Sequence, residues 1–406
     1  QEKKGMLKVW NMSLVILTFS LTIFGTFLTR SGVISSVHSF TQSGLGPFFL
    51  YFLLAMIVIS VGLLLWRLPL LESRNELESV FSREAAFLLN NLLFVSIAFT
   101  VFWGTMFPVI TEWVRGVKIT VGPPFFNRVN APLALALVFL MGVGPVIAWR
   151  RATWSSLKRS FAWSGGLGLL IGAWSVFFLD GGNFYSTVAF SIAGFALAAV
   201  WLEFWRGMRV RQKTMGEKPW TALSRLIGKN RRRYGGYIVH VGIVMIFVGI
   251  VASSIFRVEK QEPLEIGQEL PIAGYVLRYE GVEDHSDPHV EILRARLAVF
   301  SDSGEPLGMV YPEKRFYRKP EQPTTEVSIR STLAEDLYVV LGSYDPKTGL
   351  GIFQVFVNPM IAWMWIGGWV LALGTGVCMW PSYAERTASA AKQAKANGAP
   401  EGGRAA

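Results

Sequence analysis

Eight stretches of this sequence, at roughly 12–29, 47–66, 86–107, 132–149, 162–179, 185–205, 236–256 and 356–380, are apolar over about twenty residues each. A helix of about twenty residues matches the roughly 30 Å hydrocarbon core of a bilayer. Inside that core every backbone N–H and C=O must be bonded internally, and for runs of this length a helix does so. The eight runs predict a membrane α-helical bundle. Composition agrees, with 51% hydrophobic and 17% charged residues, whereas soluble domains carry about 25% charged residues.

The net charge of +11 would suit a nucleic-acid partner, but its distribution does not. Segments 1–11, 67–84, 150–161, 206–235 and the C-terminal tail hold 24 Lys and Arg, whereas the short loops between them across the bilayer hold only Arg30, Arg115, Lys118 and Arg128. Every second loop is basic. The positive-inside rule then puts both termini in the cytoplasm, with no nucleic-acid partner expected. Segment 206–235, with ten Lys and Arg, reads first as a topogenic loop; an anionic-lipid patch is the alternative. Cys378 is the single cysteine, which excludes a disulfide framework, a CxxC redox motif and a thiolate zinc site. No signal peptide is expected, and a start at Gln1 reads as a fragment.

Residues 257–354 differ in kind. Tyr275–Val282, Glu291–Phe300, Thr325–Ile329 and Leu337–Leu341 alternate with the period of two of half-buried strands. Turn signals separate them, so an all-β domain is expected on the outer face. The expected organisation is seven spans over 1–256 with an outer-face loop carrying His38, the β domain over 257–354, the last span over 355–381, and a disordered cytoplasmic tail over 382–406.

The chain has four histidines, His38, His240, His285 and His289. His240 lies four residues into the seventh apolar run, about 6 Å inside the cytoplasmic end of a helix. An ionisable side chain at that depth is a functional candidate by default, as a metal or haem ligand or a proton relay. Its plainer reading is a hydrogen bond between packed helices. His38 follows the first span at its outer end, where Val33, Ile34, Val37 and Phe40 would suit a short interfacial helix over a flat apolar ligand. A solvated loop residue is the alternative. Most of a core about 30 Å thick separates the two histidines, so they cannot ligate one iron. His285 and His289, within Glu283–Val290, read as a surface turn rather than a metal site. Asn90 and Asn91 suit helix–helix hydrogen bonds. The Trp363, Trp365 and Trp369 cluster suits an aromatic belt or a stacking wall.

Several longer segments are more specific. GMLKVWNMSLVILTFSLTIFGTFLTRSGVISSVHSF, FLLNN, GGYIVHVGI, EKRFY, TTEVSIRSTLAEDLYVVLG and NPMIAWMWIGG occur in order from residue 5 onward. The sequence resembles the CcmF family, the membrane haem lyases of bacterial cytochrome c maturation. The resemblance implies a multi-pass inner-membrane enzyme, a holocytochrome c synthetase with a periplasmic β domain. It would receive haem from a periplasmic haem chaperone and join its vinyl groups to the thiols of a CxxCH motif in apocytochrome c. By motif, His38 looks like a ligand of the incoming substrate haem, and so a catalytic residue. His240 looks like an axial ligand of a membrane haem b. Its placement across the bilayer from His38 would let that haem pass electrons from quinol to the substrate haem. Other maturation-complex membrane subunits would be partners.

Two departures bear on this. The family's W-G-x-x-W-x-W-D segment and its remaining haem histidines are absent; these belong to the family's N-terminal half. The second ligand to haem b is therefore expected from outside residues 1–406, which alone should not catalyse attachment. Two other classes remain open. A haem or solute transporter would show paired broken helices around a midplane site. A quinone-linked cytochrome b subunit would need His240 but not His38.

Overall fold

The computed structural model describes residues 7–33, 44–71, 83–147, 154–179, 183–285, 287–318 and 321–381. The expected His38 loop and the tail beyond 381 lie outside them. Contacts divide the chain into two units, Gln1–Leu137 with Ile147–Thr153, and Val138–Val146 with Trp154–Ala406.

The first unit holds α1 (Lys8–Ser31), α2 (Gly46–Trp66), the short α3 (Leu68–Leu71), α4 (Arg83–Arg115) and the start of α5 (Pro123–Val146). Helix α1 carries many hydroxyls for an apolar segment. Those of Thr18, Ser20, Thr22 and Thr26 each donate to the carbonyl four residues back, at 2.7–3.0 Å, so none needs water. Gly46 of α2 lies against Ser31 at the end of α1. Phe24 of α1 meets Phe102 of α4 at 5.8 Å.

The second unit holds the rest of α5, then α6 (Trp154–Phe178), α7 (Phe184–Met215), α8 (Pro219–Lys229), α9 (Arg231–Ile255), ten strands and α10 (Ile361–Met379). Helices α1, α2, α4, α5, α7, α9 and α10 are long and apolar enough to cross a membrane. The remaining expected span falls on α6, whose apolar part, Phe161–Phe177, is shorter. Its first turns, with Ser155, Ser156, Lys158 and Arg159, are polar. Helix α8 is an amphipathic segment inside the basic loop: Ala222 and Leu226 are buried while Trp220 is 82% exposed.

The strands are β1 (Val258–Leu264), β2 (Glu269–Ile272), β3 (Tyr275–Asp284), β4 (Val290–Ser301), β5 (Pro306–Val310), β6 (Glu313–Arg318), β7 (Glu321–Glu326), β8 (Ser328–Ser331), β9 (Glu335–Tyr344) and β10 (Gly351–Pro359). One sheet runs β1-β10-β9-β8 and the other β2-β3-β4-β6-β7, with β5 also paired to β4. Both sheets contribute to one core, in which Leu277, Tyr279, Leu297, Leu337, Val339 and Phe353 are fully or almost fully buried. This is the expected β domain, with two corrections. The expected boundary at 354 falls inside β10, because Val355 and Val357 continue its inward face and pair with Lys260 and Val258 of β1. The last helix therefore starts at Ile361 rather than near 356. The stretch Thr325–Ile329 is not one strand: it breaks at Val327, and its halves enter different sheets.

The β1–β10 ladder opens with Val258 opposite Val357, which brings the end of α9 and the start of α10 side by side. Met360 N–H donates to Ala334 O at 2.7 Å, and Trp363 Nε1 donates to Leu333 O at 2.9 Å, tying α10 to the β8–β9 turn. Below that joint the helices pack through glycines spaced by seven. A Cβ on Gly242 would come within 2.6 Å of Gly367 O. One on Gly235 would meet Gly374 O at 2.9 Å, and one on Gly249 would meet Met360 O at 3.0 Å. Such close backbone approach is how small residues hold helices together in lipid, where apolar burial gives no advantage.

Two predictions follow from this packing and from the domain core. Gly367→Leu should lower the thermal stability of the detergent-solubilised chain by about 3 kcal/mol, the upper range for overpacking. Gly368→Leu should be near neutral, because a Cβ there meets nothing within 4 Å; circular-dichroism melting distinguishes them. In the β domain, burial opposes ionisation of Glu313, but hydrogen bonds from Arg315 and Arg294 outweigh it and hold the carboxyl below its ordinary range. A depressed carboxyl contributes stability above its unfolded pKa of about 4.3, and loses it as pH falls through the lower folded value. Protection factors of β4 and β6 amides should therefore fall below about pH 4.3, and Glu313→Gln should weaken that pH dependence.

Candidate functional site

Helix α9 lies between two partners. Its glycine edge faces α10, while Tyr237 and Val244 pack toward α7 in apolar clusters with Val200, Ala193 and Ala196. His240 is three residues beyond Tyr237 and four before Val244, so it shares their helical face. The rings of Tyr237 and His240 are 6.4 Å apart. Helix α9 begins at Arg231, five residues before the apolar run, because only Asn230 separates it from α8. His240 thus lies nine residues along its helix, about 14 Å of axis, rather than near its end.

The Nδ1 atom of His240 is buried and has no hydrogen-bond partner among the described residues. A buried imidazole nitrogen left so costs about 1–3 kcal/mol, and neutral imidazole is a common ligand to metals and haem iron. A buried imidazole in this layer is chemically suited to hold a haem. No other histidine lies in the described helices, and His38 is outside the described residues. Among the described residues no group of three or more His, Cys, Asp or Glu gathers as a metal site.

One turn away lies a polar layer that hydropathy did not reveal. Glu203 of α7 is buried, and Arg233 of α9 forms a short charge-assisted hydrogen bond to it. Tyr237 O–H donates to the same carboxylate at 3.3 Å, Arg233 Nε donates to Tyr237 Oη at 3.1 Å, and Arg206 approaches at 3.8 Å. Arg233 had been legible only as one more loop charge. Glu203 left a signal: it is the one charged residue in the run 185–205. A carboxylate buried in a helix interface needs such partners, so Glu203, Arg233 and Tyr237 fix the α7–α9 register directly below His240.

The other candidates are less convergent. Asp287 Oδ1 accepts the amide protons of His289 and Val290 at 2.7 and 2.9 Å, and these bonds hold its carboxyl below the ordinary range. Its oxygen is committed to the turn, which leaves His285 and His289 on an exposed loop. Trp365 and Trp369 are about 70% exposed along α10, and Gly367 is buried against Gly242. That is an aromatic belt beside a small-residue packing face. Asn90 and Asn91 are half-buried on α4.

Residues 255–359 match the family model described as the CcmF C-terminal beta-sandwich. The chain is 31% identical over 380 residues to the cytochrome c-type biogenesis protein CcmF of Haemophilus influenzae, covering 93% of this chain and 57% of that protein. It is 32% identical over 379 residues to the CcmF of Pseudomonas aeruginosa, covering 92% and 55%. A solved structure, of the cytochrome c haem lyase CcmF, matches with a TM-score of 0.72 at 26% identity, over 94% of this chain and 56% of that one. Together these matches support the CcmF family for this chain. The chain spans a little over half the length of the CcmF relatives it matches, and its β domain coincides with the region that the family model covers.

Removal of the Glu203 carboxylate leaves Arg233 and Tyr237 facing each other without an acceptor. Glu203→Ala should lower the stability of the folded chain by about 2 kcal/mol, less than a fully buried pair because Arg233 is half exposed. Glu203→Gln should recover part of it; thermal melting in detergent measures both.

Proposed function

We propose that this chain supplies part of a haem-handling lyase that attaches haem to apocytochrome c. The observation that carries this reading is the buried, unpartnered Nδ1 of His240 in a helix layer of a chain that matches CcmF. His240 would hold a membrane haem b, with a second ligand from outside this chain. Such a haem supplies one-electron transfer when bound, with quinol as donor and the substrate haem as acceptor. Tyr237 and the Glu203–Arg233 pair hold the His240 ring in register, and the alanine and valine layer above it excludes water.

His38 orients the substrate haem delivered by the haem chaperone at the outer face. Attachment is addition of each CxxCH thiol across a vinyl group, forming one C–S and one C–H bond with no net oxidation. Holding the haem edge and the peptide together supplies most of the rate. The β domain is periplasmic and serves as a docking surface for chaperone or apocytochrome. The chain resides in the bacterial inner membrane beside other maturation subunits, with its termini cytoplasmic; the loop charges support that orientation.

His240→Ala, expressed with the rest of the maturation system, should lose haem b absorbance while membrane insertion and yield are kept. A normal haem b spectrum in that variant would sink the ligand assignment. His38→Ala should keep the haem b spectrum and lower holocytochrome c yield by about 10²-fold or more, as expected for loss of substrate positioning. Unchanged yield would favour a plain electron-transfer subunit.

A further inference from the structure

At the end of the α9–α10 pair remote from the β domain there is a cavity of about 350 Å³. It is lined by Gly228, Lys229, Asn230, Arg231, Arg232 and Arg233 on one side and by Cys378, Met379 and Trp380 on the other. Four of these nine residues are cationic and none is acidic. Neither carboxylate of segment 203–235 lines the cavity: Glu203 pairs with Arg233, one of the four, and Glu217 pairs with Arg211 and Arg225 at 2.7–2.8 Å. The cavity is built rather than accidental. Arg231 Nη1 donates to Pro381 O at 2.7 Å, and the Cys378 thiol reaches Arg232 O at 3.6 Å, so α10 is tied to its opposite wall.

Its surroundings indicate which anion. Met379 and Trp380 are 79% and 60% exposed on the same rim, and an indole at a helix end marks the bilayer interface. Amphipathic α8, with Trp220 exposed, leads into the cavity through Gly228 and Lys229. A basic pocket between membrane helices beside lipid-facing apolar surface matches a phosphodiester headgroup with its acyl chains lying outside. The arginines also stand at the positive end of α9, with no acid in its first turn, an arrangement that an anion relieves.

We propose that this cavity binds the headgroup of an anionic phospholipid, which fastens the α8–α9 joint to the end of α10. The proposal does not depend on His240 or on haem.

Native mass spectrometry of the full 406-residue chain in detergent, with added phosphatidylglycerol or phosphatidylcholine, tests it. Retention of phosphatidylglycerol should exceed that of phosphatidylcholine by at least about fivefold, the effect of a single basic residue near an anionic lipid surface. Combined Lys229→Gln, Arg231→Gln and Arg232→Gln should abolish that preference. Gly228→Leu, whose Cβ meets nothing within 4 Å, fills the space without changing charge, and should also abolish it with helicity unchanged. Equal retention of the two lipids by the parent chain overturns the proposal, as does an unaltered preference in Gly228→Leu. An equal loss in the remote pair Arg209→Gln with Lys213→Gln would mean diffuse surface attraction, and also overturns it. Displacement of the lipid by millimolar inorganic phosphate would assign the cavity to free phosphate instead.

Discussion

The backbone approach of α9 to α10 is the constraint on which the described part of the second unit depends. Glycines at 235, 242 and 249 let α10 lie against α9 at distances that any Cβ would prevent. Two parallel consequences follow from that single contact. The ends of α9 and α10 are set at the spacing of neighbouring strands, so β1 and β10 begin pairing at Val258 and Val357 within a few residues of the helices. The β-sandwich is therefore rooted in the helix pair rather than tethered to it by linkers. The same approach turns the opposite face of α9, with Tyr237, His240 and Val244, toward α7.

On that second face the packing changes chemistry over three helical turns. Lowest is the Glu203–Arg233–Tyr237 layer, next His240, then Val244 among the alanines of α7. A charged layer in a helix interface fixes register more sharply than apolar residues do, because any slip leaves a buried carboxylate without donors. Apolar residues alone tolerate such slips. The histidine thus sits between a layer that defines position and a layer that excludes water. Both properties are what a ligand side chain requires before any group is bound to it.

The sequence made the membrane class, the β domain and the placement of His240 within a helix legible, for a common reason. Each is a departure from a uniform background: twenty apolar residues in a row, a period of two after long helices, one imidazole in hydrocarbon. The end of β10 was not legible because Phe356, Val357 and the following Pro-Met-Ile-Ala-Trp run are equally apolar as strand or span, and hydropathy cannot divide them. Partnership with β1 divides them. The split of Thr325–Ile329 between two sheets likewise depends on pairing, which alternation along one strand does not encode. Glu203 stood out as an isolated charge, yet its partner lies 30 residues away on a helix whose first turn had read as loop. The seven-residue glycine spacing of α9 was visible too, but spacing names a face and not the helix that fills it.

The unpartnered Nδ1 of His240 bears on assembly as well as chemistry. A buried polar nitrogen without a partner makes the isolated fold less stable than it would be with that position occupied. On the proposed reading, a ligand that engages this nitrogen binds the folded chain and not the unfolded one, so its binding adds directly to stability. A second axial ligand supplied from outside the chain then shares that gain across two segments. The bound group becomes a fastening between them, worth more than either ligand contributes alone. The polar layer at Glu203 would oppose an error in that step. It holds α7 and α9 in one register before the group arrives, so the imidazole presents to one partner geometry only, and the entropy of searching for it is removed in advance.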